Sequence, residues 1–594
     1  VAVITLKAVV SSLPSSWRRY ARRYSRVTIK YTTWLKQAGL VDYFASDVVQ
    51  QHRFLANQRM QYQEMAILDS RTVQQPLFVL LITDADSREL TKSLSSLMAM
   101  DGLNVSDIKL VLWGLEAHLP MALDQVEVDF SWLKLNTCAV SRLSDLPNSF
   151  SHRPVFFFRE GERLHAKLLV VLGHWPLSNI SYAYVDCNSV DDEGVHRQPE
   201  FMPDWNPDLQ LTSGYVATGL WAKSLDDLFW RQVQGQKNVI RHFLMSVALS
   251  KVKASVEHIS FCLLHKSRAE RPLLADCPDI LSQQILDKAA VTENDGFRLS
   301  LCWKLSSSPL VSLIIPTKNA WQLVKACIDS ILTRSTYKCF EILLVDNNSD
   351  EQQSLEYFEE VSKHPKVRLL HYPGPFNYSA INNYAAKHCQ GEVIGLVNND
   401  VEVISDNWLT SMVAQVMRPE IGCVGAKLLY SDGRIQHAGV IMGYGGGAGH
   451  AHKFFAADAP GYMQRLVASH NVSAVTAACL LVKRVDFELV GGLNEVDLKV
   501  AFNDVDFCLK VRELGRRNLF CAEAVLFHHE SVSRGAEDTP EKIKRFESEV
   551  LYLQKKWGAV IAHDPAYNRH LTLKQENFLV ADQPEYRPFF SAQR

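Results

Sequence analysis

The chain is 594 residues long, too long for one hydrophobic core, and at about 100–200 residues per domain it divides into about three units. Its 47% hydrophobic and 22% charged composition is that of a soluble globular protein, and a formal net charge of -2 excludes a chain-wide field for nucleic acid. Its twelve cysteines include no C-x-x-C pair, which excludes the usual structural-zinc and thioredoxin-type spacings and reads as reduced thiols in a cytosolic compartment.

Residues 1–70 read as a helical, basic N-terminal segment. Residues 1–40 hold Lys7, Arg18, Arg19, Arg22, Arg23, Arg26, Lys30 and Lys36 with no Asp or Glu, interleaved with Trp17, Tyr20, Tyr24 and Trp34. Two readings stay open: a peripheral contact with an anionic membrane surface, on the inner face of the cytoplasmic membrane, or a solvated basic helix lying on the next domain. The opening VAVITLKAVVSSL is too short to span a bilayer and is broken by Lys7, so neither a signal peptide nor a transmembrane helix is expected.

A first β/α series fills residues 71–303. It runs through PLFVLLITDAD (76–86), DIKLVLWGLE (107–116) and RPVFFFREGERL (153–164), and closes with VEHISFCLLHK (256–266). Within it AYVDCNSVDDEG (183–194) gathers Asp186, Asp191 and Asp192, read as solvated turn carboxylates rather than a site. KLSSSPL (304–310) punctuates a linker, and a second series occupies 304–560: VSLIIPTKN (311–319), the helical LVKACIDSIL (323–332), FEILLVDNNSD (340–350), GEVIGLVNND (391–400) and CAEAVLFHHES (521–531). Strands that alternate with helices and stop in polar residues predict an open, largely parallel sheet with ligands at the carboxyl ends of its strands.

The two series keep the same order of segments, as distant tandem copies would. Their tips differ. Trp113 or Gly114 stands where the second series has Asp346, and Arg159, Glu160 and Gly161 stand against Asn398, Asn399 and Asp400. A cation beside the carboxylate position disfavours a metal-bound diphosphate, so the first copy is expected to be degenerate, a scaffold or acceptor-binding unit.

In the second copy three strand tips should converge, carrying Thr317, Asp346 and Asp400. A lone carboxylate such as Asp346 can accept a hydrogen bond from a base or a ribose hydroxyl, and Asp400 can ligate a hard divalent cation that also holds phosphate oxygens. Asx turns would end strands in the same residue types, but two such tips in one sheet favour a site. In AFNDVDFCLKVREL (501–514), Asp504 and Asp506 open a helix, where a carboxylate either complements the dipole or accepts a proton. VLFHHESVSRG (525–535) ends a strand in His528 and His529, and an imidazole can complete a metal shell begun by Asp400. MGYGGGAGHAH (442–452) has the G-x-G-x-x-A spacing from Gly443, but Gly449, His450 and His452 stand where a dinucleotide-binding helix should start. It reads as a mobile loop over the site that touches acceptor. The last helix begins in SRGAEDTPEKIKRF (533–546), with Ile543, Phe546, Val550 and Trp557 as its packing face, and 561–594 reads as a C-terminal tail.

From about residue 309 to 560 the motifs VSLIIPTKN, EILLVDNNSD, PFNYSAINNYAAKHCQGE, GLVNND, GRIQHAGV, FNDVDFCLKVRELGRRN and HHESVSRG, in this order, resemble a family 2 glycosyltransferase. The likeness is greatest to the subgroup that builds bacterial surface polysaccharides such as O-antigen or rhamnan chains. The resemblance implies an inverting enzyme and an α/β chain of the GT-A type, a Rossmann-like open mixed sheet, here in two tandem copies behind a helical N-terminal segment. It implies Thr317 and Asp346 on the nucleoside, Asn383 near the donor, Asn398 and Asp400 in place of an Asp-x-Asp element, Asp504 as general base and His528 as second metal ligand. His437, His450, His452, Asp506 and His529 are the acceptor-side candidates. This sequence departs from the family pattern at Asn398, which replaces a carboxylate, and at Asn503, where many relatives have Glu. The implied cofactor is Mg2+ or Mn2+, the donor a dTDP- or UDP-linked sugar, and the acceptor lipid-linked or an oligosaccharide. Two alternatives remain at this stage: a bifunctional transferase with two active sites, and a non-catalytic glycan-assembly protein.

Overall fold

The structure of the protein is a computed structural model that describes residues 47–69, 76–104, 107–130, 133, 136–141, 146, 153–191, 193–224, 239–250, 254–266, 285–294, 298–529, 539–581 and 589. The basic stretch 1–40 and Asp192 lie outside these residues. The chain divides into two units, 1–50 and 51–594. A helix, Asp47–Ala66, carries the chain into the second unit, and among the described residues no helix is long and apolar enough to cross a membrane.

The first sheet contains β1 (Leu77–Leu81), β2 (Leu110–Trp113), β3 (Thr137–Val140), β4 (Val155–Arg159), β5 (Arg163–Leu164), β6 (Tyr182–Val190), β7 (His196–Glu200), β8 (Leu220–Ala222) and β9 (Val256–Lys266). An antiparallel hairpin of β10 (Ala289–Asn294) and β11 (Leu299–Trp303) follows. The second sheet contains β12 (Val311–Thr317), β13 (Phe340–Asp346), β14 (Val367–His371), β15 (Val393–Val397), β16 (Val401–Val403), β17 (Ile421–Leu429), β18 (Ile435–His437), β21 (His470–Val472), β22 (Cys479–Lys483) and β23 (Arg517–His528). A separate pair, β19 (Val440–Met442) and β20 (Ala448–His450), sits between them in sequence.

Edge to edge, the first sheet runs β3-β2-β1-β4-β8-β6-β9-β5 and the second β14-β13-β12-β15-β22-β17-β23-β16. The two orders correspond strand for strand in chain order and in the parallel or antiparallel sense of each pairing, including β7 on β6 and β18 on β17; only β21, antiparallel on β23, has no counterpart among the described strands of the first sheet. The expected arrangement, α/β with two open mixed sheets in tandem, is what the chain forms. The central strands are largely apolar because both faces of a parallel sheet are covered: β13 and β15 are buried at every residue, and in β13 only Glu341 and the terminal Asp346 are polar. Within β15 the two leucine side chains close over Gly395, where a Cβ would stand 2.6 Å from Leu313 Cδ2 and 2.8 Å from Leu481 Cδ2 and would oblige both to shift.

The register gives the alignment of the tips. Thr317 turns its backbone polar groups toward β13, accepting Asn347 N–H, and the residue of β1 that turns the same way toward β2 is Ile82, which donates to the Trp113 carbonyl. Thr317 pairs with Asp346 and, at the offset that joins Val311 to Val393, stands against Asn399, and at the offsets of β1 with β2 and β4 Ile82 stands against Gly114 and Glu160. Gly114 therefore matches Asp346, and Arg159, Glu160 and Gly161 match Asn398, Asn399 and Asp400 as expected, since a slip of one residue would turn every side chain to the other face.

Polar contacts join the two sheets. The helix Pro207–Ser213, capped by Asn206, brings Asp208 to 2.6 Å from Arg418, both buried. The Asn206 side chain donates from Nδ2 to the Asn471 carbonyl at 2.8 Å and accepts Asn471 N–H on Oδ1 at 3.0 Å. Residues 564–581, expected as part of a tail, are instead a structural strap: Asn568 donates to Asp186 and to the Met202 carbonyl, and Tyr567, His570, Phe578 and Val580 are buried. Asp186 is no turn carboxylate either. It is a fully buried residue of β6 that accepts from His258 Nε2 at 2.9 Å, while Asp191 alone behaves as expected, capping a turn at Val195. The helix Pro540–Ala562 packs through Glu549, Leu553 and Trp557, and Phe546 stays exposed.

Candidate active site

Three strand ends meet as the sequence predicted. Thr317 and Asp346 are register partners on β12 and β13, and Asn399, just past β15, donates from Nδ2 to Thr317 Oγ1 at 3.0 Å. All three are buried. Asp346 ties down the turn that follows β13 by accepting Ser349 N–H at 3.0 Å on Oδ1, while Oδ2 lies 3.3 Å from Nδ1 of the exposed His371 on β14. Asn319, in the left-handed region at φ 56°, accepts from Asp350 and Glu351 N–H and so fixes the start of the next helix.

The next tip is built by β16 and β23, whose antiparallel register sets Val401 opposite His528. His528 Nε2 lies 3.2 Å from Asp400 Oδ1 and 3.1 Å from Asn398 Nδ2. Its other nitrogen, Nδ1, is 2.6 Å from Gln436 Oε1. Among the described residues no group of three His, Cys, Asp or Glu side chains is placed to enclose a metal ion. One carboxylate and one imidazole nevertheless suit a divalent cation whose remaining positions go to substrate phosphate oxygens and water, the usual arrangement for catalytic Mg2+ or Mn2+.

Asp504 lies in the first turn of the helix Asn503–Glu513, which follows Phe502 in the left-handed conformation at φ 58°. Its Oδ2 accepts Ala477 N–H at 3.1 Å, and the neighbouring Ala478 carbonyl accepts Asn398 N–H at 3.0 Å. One short backbone path therefore connects the Asp504 carboxylate to the Asn398–Asp400 tip, and Asp504 remains half-buried rather than sealed.

The other candidates go elsewhere. Asn383 is not at the tips: its Oδ1 accepts Leu493 N–H at 2.9 Å and its Nδ2 donates to the Leu493 carbonyl at 2.8 Å, beside a flanking cavity of about 310 Å³. Asp506 is fully buried and accepts from Lys556 Nζ and Trp557 Nε1, both at 2.8 Å, which fastens one helix to another. His452 stacks on Phe578 of the strap at 4.1 Å. His450 donates from Nδ1 to the Gln436 carbonyl, and His437 accepts Gly439 N–H. Burial holds all three of these histidines neutral, His450 down to about 3 and the other two well below the ordinary value, so none carries a charge to an acceptor. His529 bridges Glu402 and Ser431. The glycine-rich stretch expected as a mobile loop is the β19–β20 hairpin, pairing Val440 with His450.

Sequence reasoning missed Gln436 and His371. Gln436 stands in the quoted GRIQHAGV, where the adjacent histidine drew attention, and only β17–β18 pairing brings it to the end of β23.

Residues 312–488, which include Thr317, Asp346, Asn398, Asp400 and Gln436, match the model of glycosyl transferase family 2. Through this stretch the chain belongs to glycosyltransferase family 2. It is similar to an uncharacterized protein of Sinorhizobium fredii, y4gI, with 40% identity over 416 residues, covering 67% of this chain and 46% of that one. It is also similar to the O-antigen biosynthesis protein RfbC of Myxococcus xanthus, with 32% identity over 447 residues, covering 71% of this chain and 34% of that one. The chain thus spans less than half the length of these curated relatives. A solved mannosyltransferase from Pyrobaculum calidifontis, in complex with GDP-Man and Mn2+, shares 15% identity at a TM-score of 0.33 over 44% of this chain and 72% of that one.

Proposed function

We propose that this chain is an inverting GT-A-type transferase that moves a sugar from a nucleotide-sugar donor to a growing bacterial surface glycan of the O-antigen or rhamnan kind. The observation that carries the reading is the meeting of Asp400, Asn398 and His528 at one strand end, beside Thr317 and Asp346 and one backbone contact from Asp504. Asp346 and Thr317 hold the nucleoside of a dTDP- or UDP-linked donor. Asp400 and His528 would hold Mg2+ or Mn2+, which when bound would supply positive charge to the leaving diphosphate. Asp504 takes the proton of the acceptor hydroxyl as that oxygen attacks the anomeric carbon, giving one displacement with inversion.

The domains under this reading are the N-terminal segment 1–70, a non-catalytic GT-A-like copy over 71–303, the catalytic domain over 304–560, and 561–594. Support for one working site comes from the first copy's tips. Gly114, in the place of Asp346, offers no side chain, and the preceding Trp113 is buried and donates to the Ser141 carbonyl. Gly161 stands in the place of Asp400, and the adjacent Glu160, in the place of Asn399, accepts on one oxygen from Thr83 N–H at 2.8 Å and from Asp84 and Ala85 N–H, both at 3.1 Å. The position of the metal carboxylate is a glycine there, and the carboxylate beside it is occupied by the protein's own loop. The acceptor is lipid-linked or an oligosaccharide, and the enzyme works in the cytoplasm, with residues 1–40 as its peripheral contact with the membrane. Thermal shift against a panel of nucleotide sugars with Mn2+ tests the reading, because a bound donor raises the melting temperature by mass action. Stabilisation by one nucleotide class, lost in Asp400→Asn, is the expected result, and no shift with any donor would sink it.

A further inference from the structure

The amide of Gln436 is buried, at 1% exposure, against the end of β23. Its Nε2 lies 3.3 Å from the backbone carbonyl oxygen of His528, and its Oε1 lies 2.6 Å from Nδ1 of the same residue. A backbone carbonyl can only accept, so the amide NH2 must face it. The amide oxygen therefore faces the ring. An amide oxygen can only accept as well, so Nδ1 must carry a proton. In the neutral imidazole the other nitrogen, Nε2, is then left with its lone pair.

That lone pair is the atom turned toward Asp400 Oδ1, at 3.2 Å, and it accepts from Asn398 Nδ2 at 3.1 Å. Gln436 is itself fixed from behind. Its residue lies on β18, paired to β17, and its carbonyl accepts from His450 Nδ1 at 3.1 Å. Five residues are thus linked: His450 holds Gln436, Gln436 sets the ring of His528, and His528 presents Nε2 to Asn398 and Asp400.

We infer that Gln436 is a positioning residue that locks His528 in the Nδ1–H tautomer and so keeps Nε2 available as a donor to a divalent cation beside Asp400. The inference rests on the reading of Asp400 and His528 as metal ligands. Outer partners of this kind hold ring orientation and ligand basicity, and their loss typically costs about 10- to 100-fold in metal affinity. Gln436 touches neither metal nor donor in this scheme. It acts through His528.

The test uses the full chain in two measurements. Long-range nitrogen–proton correlation on histidine-labelled, metal-free protein reads the tautomer of His528, assigned by difference with His528→Ala. Electron paramagnetic resonance counts free Mn2+ during titration in the presence of UDP, with no turnover. Gln436→Met, close in volume, removes both polar groups. It is expected to raise the Mn2+ dissociation constant about 10- to 100-fold and to lose the uniform Nδ1–H signature. Gln436→Glu keeps an oxygen for Nδ1–H and is expected to retain both to within a few-fold. If Gln436→Met keeps the wild-type tautomer and Mn2+ affinity, or if Gln436→Glu loses as much as Gln436→Met, the inference is overturned. Wild-type protein without the Nδ1–H signature overturns it while leaving the metal reading standing. Wild-type protein that shows the signature but binds no Mn2+ overturns the metal reading instead.

Discussion

His528 Nε2 stands 3.2 Å from Asp400 Oδ1, two atoms that both offer lone pairs while the ring keeps its proton on Nδ1. Such a pair is favourable once positive charge lies between them, supplied by a second ring proton or by a divalent cation. The contact joins residues 128 positions apart in sequence and exists only because β16 pairs with β23.

The donor set at this point predicts the choice of metal. Imidazole is a better ligand for Mn2+ than for Mg2+, which demands an oxygen shell, and Asn398 removes one carboxylate that would have favoured the harder ion. Initial rates of transfer should be higher with Mn2+ than with Mg2+, and Asp400→Asn should lower the Mn2+ rate by at least ~100-fold. Undiminished transfer in excess EDTA would remove the metal from the mechanism.

Asp504 has a separate task and should fail separately. Asp504→Asn keeps the shape of the side chain but cannot take the acceptor proton, so kcat should fall ~100- to 10,000-fold while the donor dissociation constant changes little. Isothermal titration with the nucleotide sugar alongside a transfer assay separates the two effects. Wild-type turnover in this variant would take the base assignment away from Asp504.

Glu160 carries the contrast between the copies. Its carboxylate receives three backbone N–H groups from residues 83–85, one of them at Ala85 with φ 56°. Glu160→Ala should leave those donors without their acceptor and destabilise the fold by about 1–3 kcal/mol, read as a lower unfolding midpoint. Transfer by the surviving folded protein should be unchanged. Selective loss of one of two transferred sugars would instead establish a second working site.

His258 gives the junction of the sheets a pH dependence. Burial alone would lower its pKa, but Asp186 at 2.9 Å and Asp204 at 3.3 Å outweigh burial and raise it to about 9. A raised folded-state value means the stabilising charge is fully present below about pH 6.5 and is lost as pH rises through 9. Urea unfolding midpoints should therefore fall between pH 6.5 and 9, by an amount on the order of 3 kcal/mol in stability. His258→Gln should be less stable at pH 6.5 and nearly flat across that window. An equal slope in the variant would assign the effect to other groups.

Much of this was legible beforehand for identifiable reasons. Apolar runs that end in Asp346 and in Asn398–Asp400 mark buried parallel strands by composition alone, and the crevice at their carboxyl ends follows from strand direction. The histidines of the glycine-rich stretch misled because residue type suggested chemistry where the structure uses packing: His452 stacks on Phe578, which lies more than a hundred residues away. Asn383 and Asp506 misled in the same way, one bound to a loop and the other to Trp557.

By itself the sequence determined the two β/α series, their common order and the polar tips of the second, because each depends on local periodicity and on where an apolar run stops. Only the tertiary structure decided which nitrogen of His528 meets Asp400, that Gly114 rather than Trp113 stands in the place of Asp346, and that Glu160 of the first copy is taken up by its own loop. Those outcomes are set by strand register and by hydrogen bonds between distant segments. A shift of one residue reverses the face of every side chain, and no count along the chain records it.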